Sequence, residues 1–131
     1  MSVYSDVLGA VASLANQTEP YAPVAEGFTP GENSLTIAWS ASTVSPFFSK
    51  KAAVEMTALL NGKHSSQELV ANALGKIHTS LSMRKDYPLT DCYQITDIST
   101  LRGPSCLGQD ENKQWLYGSS LRVRFFLKGD H

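Results

Sequence analysis

From Trp115 to Leu127 the large apolar residues Trp115, Tyr117, Leu121, Val123, Phe125 and Leu127 all fall on odd positions. Arg122, Arg124 and Lys128 occupy the even ones. A period of two sends alternate side chains to opposite faces, so this segment predicts a long strand. One face is apolar and the other is wet and cationic, which suits a sheet with a core on one side only. Such a sheet needs helices or a second sheet over its apolar face.

Two segments have the spacing to supply that cover. Ser2 to Asn16 carries Val3, Val7, Val11 and Leu14 in one stripe, widened by Tyr4 and Leu8 and weakened by Gly9. It predicts a short amphipathic helix that ends before Pro20. Further on, Leu69, Ala73, Ile77 and Leu81 share a face flanked by Val70 and Leu74. Ser65 and Glu68 have capping-box spacing, and Arg84-Lys85 suit the negative end of a helix dipole. This second helix is expected from about Ser66 to Met83, with Pro88 barring continuation.

The remaining elements read as strands and loops. Gln17 to Asn33 holds Pro20, Pro23, Pro30, Gly27 and Gly31, which mark loop or an irregular edge strand. Val24 and Phe28 could support one short extended piece within it. Leu35, Ile37 and Trp39 alternate with small or polar residues until the pattern breaks at Pro46. Val54, Met56, Ala58 and Leu60 alternate again and are expected to stop at Asn61-Gly62. These two strands predict an antiparallel pair joined by a loop rather than a tight turn. Cys92 to Leu101 is rich in β-formers, but its alternation slips between Ile95 and Ile98, and a bulge near Asp97 would restore register. Arg102 to Lys113 is expected as a long connection with a polar tip at Asp110 to Lys113. The order α-β-β-α-β-β predicts an α+β fold over residues 1–131 as a single domain. Its sheet is mainly antiparallel, with four to five strands and both helices packed on one face.

Composition excludes several classes. With 42% hydrophobic and 18% charged residues, the chain is neither a disordered tail, a collagen-like polymer nor a coiled coil. No apolar run approaches the ~18 residues of a membrane span, and Met1 to Asp6 lack the basic start of a signal peptide. A soluble, non-secreted protein with no membrane partner is expected. Eleven Lys+Arg against 12 Asp+Glu give a net charge of −1, so bulk charge lends no support to holding nucleic acid. Cys92 and Cys106 are too few and too far apart for a disulfide framework or a C-x-x-C site. His64, His78 and His131 do not complete a zinc ligand set. Neither a metal nor a cofactor is expected.

Catalytic motifs fail on inspection. Gly103-Pro-Ser-Cys-Leu-Gly108 places its second glycine one residue late for a nucleophile elbow, and no helix follows. Gln109-Asp110 then replaces the Lys and hydroxyl of a P-loop. Cys106 has no visible activating partner. His64 and Glu68 read as a solvated or capping pair, and Asp110-Glu111 lacks the alternating oxygen ligands of a calcium loop. Two features suit partner binding better. Phe47-Phe48 stands in a polar loop beside Lys50-Lys51, where the rings either anchor an interface or fold back onto the core. The Arg122/Arg124/Lys128 stripe is either a solvated face, a match for an acidic neighbour, or the lining of a pore that passes nucleic acid.

The stretch from Ile95 to Phe125 resembles the closing region of small phage and prophage minor capsid proteins of the tail-terminator (tail-completion) type. Those chains commonly end with a strand, a Pro, a Leu-Gly, an Asp-Glu-Asn tip and a long final strand. Pro104, Leu107-Gly108, Asp110-Glu111-Asn112 and Trp115 to Phe125 match that plan. The helices expected at Ser2 to Asn16 and Ser66 to Met83 stand where the family places its own. Thr18 to Gly31 and Val44 to Ser49 depart from it. The resemblance implies a structural virion protein, made in the bacterial host cytoplasm, with no catalytic residue. Such proteins form rings, often hexamers, at the head-proximal end of the tail tube, where they stop polymerisation and join the tail to the head connector. The implied partners are further copies of itself, the tail tube and head-connector proteins, with DNA only as cargo passing through a lumen. Phe47, Phe48, Asp110, Glu111, Asn112, Arg122 and Arg124 are the expected interface residues. The rival readings are a head-completion or neck protein of the same assembly class, and a small ligand-binding or thiol-dependent enzyme domain.

Overall fold

The computed structural model describes residues 3–28, 30–45 and 52–128, with 41–45 and 52 described by their backbone alone. In chain order the elements are helix α1 (Val3–Asn16) and strands β1 (Val24–Glu26), β2 (Ser34–Ser45) and β3 (Ala52–His64). Helix α2 (Gln67–Ser82), β4 (Tyr93–Gln109) and β5 (Trp115–Leu127) follow. The strands form one sheet in the order β1-β2-β3-β5-β4. β2/β3, β3/β5 and β4/β5 pair antiparallel, whereas β1/β2 pair parallel, so the sheet is mixed. The expected order α-β-β-α-β-β therefore gains one short strand. That strand is tied to the end of α1, because the Val24 N–H donates to Asn16 Oδ1 at 2.8 Å.

Both helices cover the same face, as expected. Leu35 and Ile37 of β2, Val54, Met56, Ala58 and Leu60 of β3, and Leu121, Val123 and Phe125 of β5 are buried there. Val7, Val11 and Leu14 of α1 and Val70, Leu74, Ile77 and Leu81 of α2 close over them. At the α1 end, the Trp39 indole N–H donates to the Tyr4 carbonyl at 2.9 Å. Its ring stacks on Phe125 at 6.4 Å, and Tyr4 meets Phe125 edge-on at 6.1 Å. Such pairs add about 0.5–1.5 kcal/mol each beyond their buried area.

Three expectations are corrected. First, Ser66 rather than Ser65 is the N-cap of α2: its Oγ accepts from the Leu69 N–H at 3.3 Å, while its own N–H donates to His64 Nδ1. Glu68 therefore falls one position short of the capping-box partner. The buried stripe turns with it, leaving Leu69 47% exposed and bringing His78 inside.

Second, β3 runs through Asn61-Gly62 to His64 instead of turning there. Gly62 serves close approach, since a β-carbon on it would lie 2.7 Å from Leu35 Cδ2 and 2.8 Å from Val70 Cγ2. Third, the segment expected as a connection is strand, because β4 continues to Gln109. β4 has 17 residues against 13 in β5, and four register shifts absorb the four extra. The shift between Ile95 and Asp97 is the bulge the alternation requires. The other three lie between Thr100 and Gly108 and let Gly103-Pro104 sit on a sheet edge, where a missing N–H costs little.

Candidate assembly surface

The helix-free face of the sheet carries the cationic residues of β5, but it is not a basic stripe. Arg124 Nε donates to Glu55 Oε1 at 2.9 Å, and Arg122 Nε lies 3.8 Å from Glu55 Oε2. Asp97 stands opposite Arg124 in register on the other side. Two guanidiniums thus share one carboxylate in the open, with another nearby, and exposed pairs of this kind contribute at most about 1 kcal/mol. Arg102, in register with Ser120, adds a further cation, so the face is partly neutralised rather than uniformly basic.

The β4–β5 turn divides the three residues expected at an interface. Asp110 belongs to the fold: its Oδ1 accepts from the N–H groups of Asn112 and Gln114, both at 2.9 Å, and Oδ2 pairs with Lys63 Nζ at 2.9 Å. The hydrogen bond from Lys63, followed by that from the Gln114 N–H, holds its carboxyl below the usual range. Lys113 completes the turn with a left-handed φ of 61°. Glu111 and Asn112 are exposed, with no side-chain hydrogen bond among the described residues. Buried Gln114, which the sequence did not single out, accepts at Oε1 from the Asn33 N–H at 2.9 Å. Its partner is 81 residues away, and no local spacing could reveal it.

Phe47 and Phe48 lie outside the described residues. The strand ends that flank them, Ser45 and Ala53, are at the Leu127 end of β5, whereas the Asp110 turn is at the opposite end beside Trp115. The expected interface residues therefore do not form one patch. Among the described ones, Asp110 to Asn112 stand at one end of the sheet and Arg122 and Arg124 on its helix-free face.

The bulges in β4 build a feature missed in the sequence. Leu101 and Leu107 occupy positions where β4 has residues in excess of β5, and they are 46% and 61% exposed. With Leu59, Thr57, Asn61 and Ser105 they line an open groove of about 590 Å³ on the helix-free face. A bulge re-aims a side chain, so alternation could not single out Leu101 at the end of its expected strand, nor Leu107 within the expected connection.

The outer edge of β4 is covered at its start, from Tyr93 to Ile95. The Ile95 N–H donates to the Pro88 carbonyl, the Thr90 N–H donates to the Tyr93 carbonyl, and Leu89 bridges Gln94. Beyond them come the bulges and Pro104, the usual devices against edge pairing. Cys106 is exposed on this strand and Cys92 is half-buried. His64 and His78 make other bonds, to the Ser66 N–H and to Thr100. Among the described residues no group of three or more metal-ligating side chains occurs, and no helix is long and apolar enough to cross a membrane.

Neither a protein-family model nor a curated protein matches the sequence. The fold does have a solved counterpart. The chain is similar to one in the virion of a native gene transfer agent particle, with a TM-score of 0.65 and 12% sequence identity, over 98% of both chains. At that identity the likeness is one of fold.

Proposed function

We propose that this protein is a structural component of a phage-type particle that acts as a tail terminator. It closes into a ring on the head-proximal end of the tail tube, stops tube growth and joins the tail to the head connector. The observation that carries the reading is the end-to-end likeness of fold to a chain of a virion, over 98% of both chains. The tail-terminator pattern from Pro104 to Phe125 narrows it to that kind of subunit.

Mechanism on this reading is surface complementarity rather than catalysis. With the β4 edge covered at its start, neighbouring copies meet through side chains of the helix-free face and the two hairpin ends. Because those features lie at opposite ends of the sheet, the contact is head-to-tail, and it yields a ring when the rotation closes. A net charge of −1, with Glu55 holding both Arg122 and Arg124, suits DNA as passing cargo rather than as a ligand. Membranes, metals and cofactors have no part in this role.

Light scattering of the purified chain across a concentration range tests the reading. A discrete hexamer-sized species, or a monomer–ring equilibrium, is the expected result. A strict monomer that binds only a preformed connector would overturn it in favour of a neck protein.

A further inference from the structure

His78 is the one histidine on the core-facing stripe of α2, and it is 4% exposed. Its Nδ1 lies 2.8 Å from Thr100 Oγ1 on β4, and its Nε2 is buried without a partner. Thr100 marks a boundary. The next register shift falls between it and Arg102, and from Leu101 to Gln109 every residue except half-buried Pro104 is exposed. Beyond the His78 contact, the outer half of β4 is held by β5 alone through a ladder with three bulges.

Among the described residues, no charge opposes or supports the imidazole from the elements around it. Glu55 and Lys63 of β3, and Arg122 and Arg124 of β5, alternate onto the helix-free face. Asp97 and Arg102 of β4 pair in register with Arg124 and Ser120 of that same face. On α2 itself Glu68 and Lys76 are exposed, and Asp6 of α1 lies towards Tyr93, at the start of β4. Phenols facing the core include Tyr93 and Tyr117, both buried, and Tyr87, whose hydroxyl bonds the carbonyls of Leu81 and Ile98. Burial alone pushes His78 down to about 4. A charged imidazole would leave Nε2–H buried without an acceptor.

We propose that the His78–Thr100 contact is a latch that fixes where β4 leaves its helix cover, and so positions Leu101 and Leu107 over the helix-free groove. His78 is a positioning residue acting from the opposite side of the sheet, and protonation opens the latch. The inference deepens the assembly reading, because those two leucines line the groove available to a neighbour. Its test reads the chain itself, so the latch and the ring stand or fall separately.

The experiment is leucine-methyl NMR of the full chain from pH 7 to pH 3.5, with the His78 C2–H followed in the same samples. The Leu101 and Leu107 methyls are expected to shift in step with His78, with a midpoint near pH 4, while those of Leu35 and Leu60 stay in place. In His78→Gln the step disappears. In Thr100→Val, Leu101 and Leu107 take their acid positions already at pH 7, and Thr100→Ser restores them. The proposal is overturned if the two methyls do not follow His78, if all methyls move together in one unfolding step, or if the step survives in His78→Gln.

Discussion

A β-carbon placed on Gly118 would lie 2.8 Å from Leu107 Cδ1, so the absence of a side chain at 118 is what lets Leu107 lean over the helix-free face. A β-carbon on Gly62 would meet Leu35 Cδ2 at 2.7 Å, Val70 Cγ2 at 2.8 Å and the Tyr21 hydroxyl at 3.1 Å. The clashes are equally short, but their consequences differ. Leu107 is 61% exposed and can swing away, whereas Leu35 and Val70 are fully buried.

Gly118→Ala is therefore expected to keep the fold within about 1 kcal/mol while displacing Leu107, an exposed side chain free to repack. Gly62→Ala is expected to cost about 1–3 kcal/mol through overpacking. Urea denaturation of the two variants checks the contrast. If the groove is an assembly surface, Gly118→Ala also weakens ring formation in light scattering at unchanged stability.

Gln114 ties the β4–β5 turn to the start of β2 through the Asn33 N–H. Gln114→Ala removes that acceptor but leaves Asp110 and its turn in place. A loss of about 1 kcal/mol is expected, the usual worth of one such bond when the freed donor can reach water. Thermal melting measures it, and a change at Asn33 in amide exchange locates it.

Where the sequence was legible, the physics was local. The α1 stripe at Val7, Val11 and Leu14, the odd-position face of β5 and the slip at Asp97 each follow from spacing within one element. They appear in the structure as read. Failures occurred where a distant residue decides. Asn61-Gly62 has turn chemistry, yet Val70 and Leu35 require the glycine inside a strand. Gly103-Pro104 looks like a breaker, yet an edge position with bulges on either side accommodates it. Leu101, Leu107 and Gln114 could not have been selected for a surface or a tie, because their significance depends on Gly118, Leu59 and Asn33 across the sheet.

Phe47→Ser with Phe48→Ser is the direct test of the β2–β3 tip as a contact. The double variant is expected to keep the far-ultraviolet dichroism and melting temperature of the parent while shifting the ring equilibrium towards monomer. An unchanged ring would remove the tip from the interface. A fall in melting temperature would mean that the rings pack on the core.

The pH dependence of stability follows from two buried groups with opposite signs. Burial lowers His78 to about 4, so the unfolded chain takes up a proton near 6.5 that the folded chain refuses. Stability is retained above 6.5 and falls as the pH drops from there towards 4. Tyr21 is shifted the other way, up to about 12, chiefly by burial. Above pH 10 the unfolded phenol ionises first, so stability falls as the pH rises from 10 towards 12. Asp110 adds a loss only below its ordinary value of 3.8, because its carboxyl is held down in the fold. Urea midpoints measured from pH 3.5 to 11.5 should trace a plateau with these two shoulders. His78→Gln should lift the acid shoulder and leave the alkaline one, while Tyr21→Phe should reduce the alkaline shoulder, to which Tyr87 and Tyr93, also raised by burial, still contribute. Because Tyr21→Phe also removes the hydroxyl's bonds to the Ser34 and Lys63 carbonyls, it should lower the plateau itself by about 1 kcal/mol.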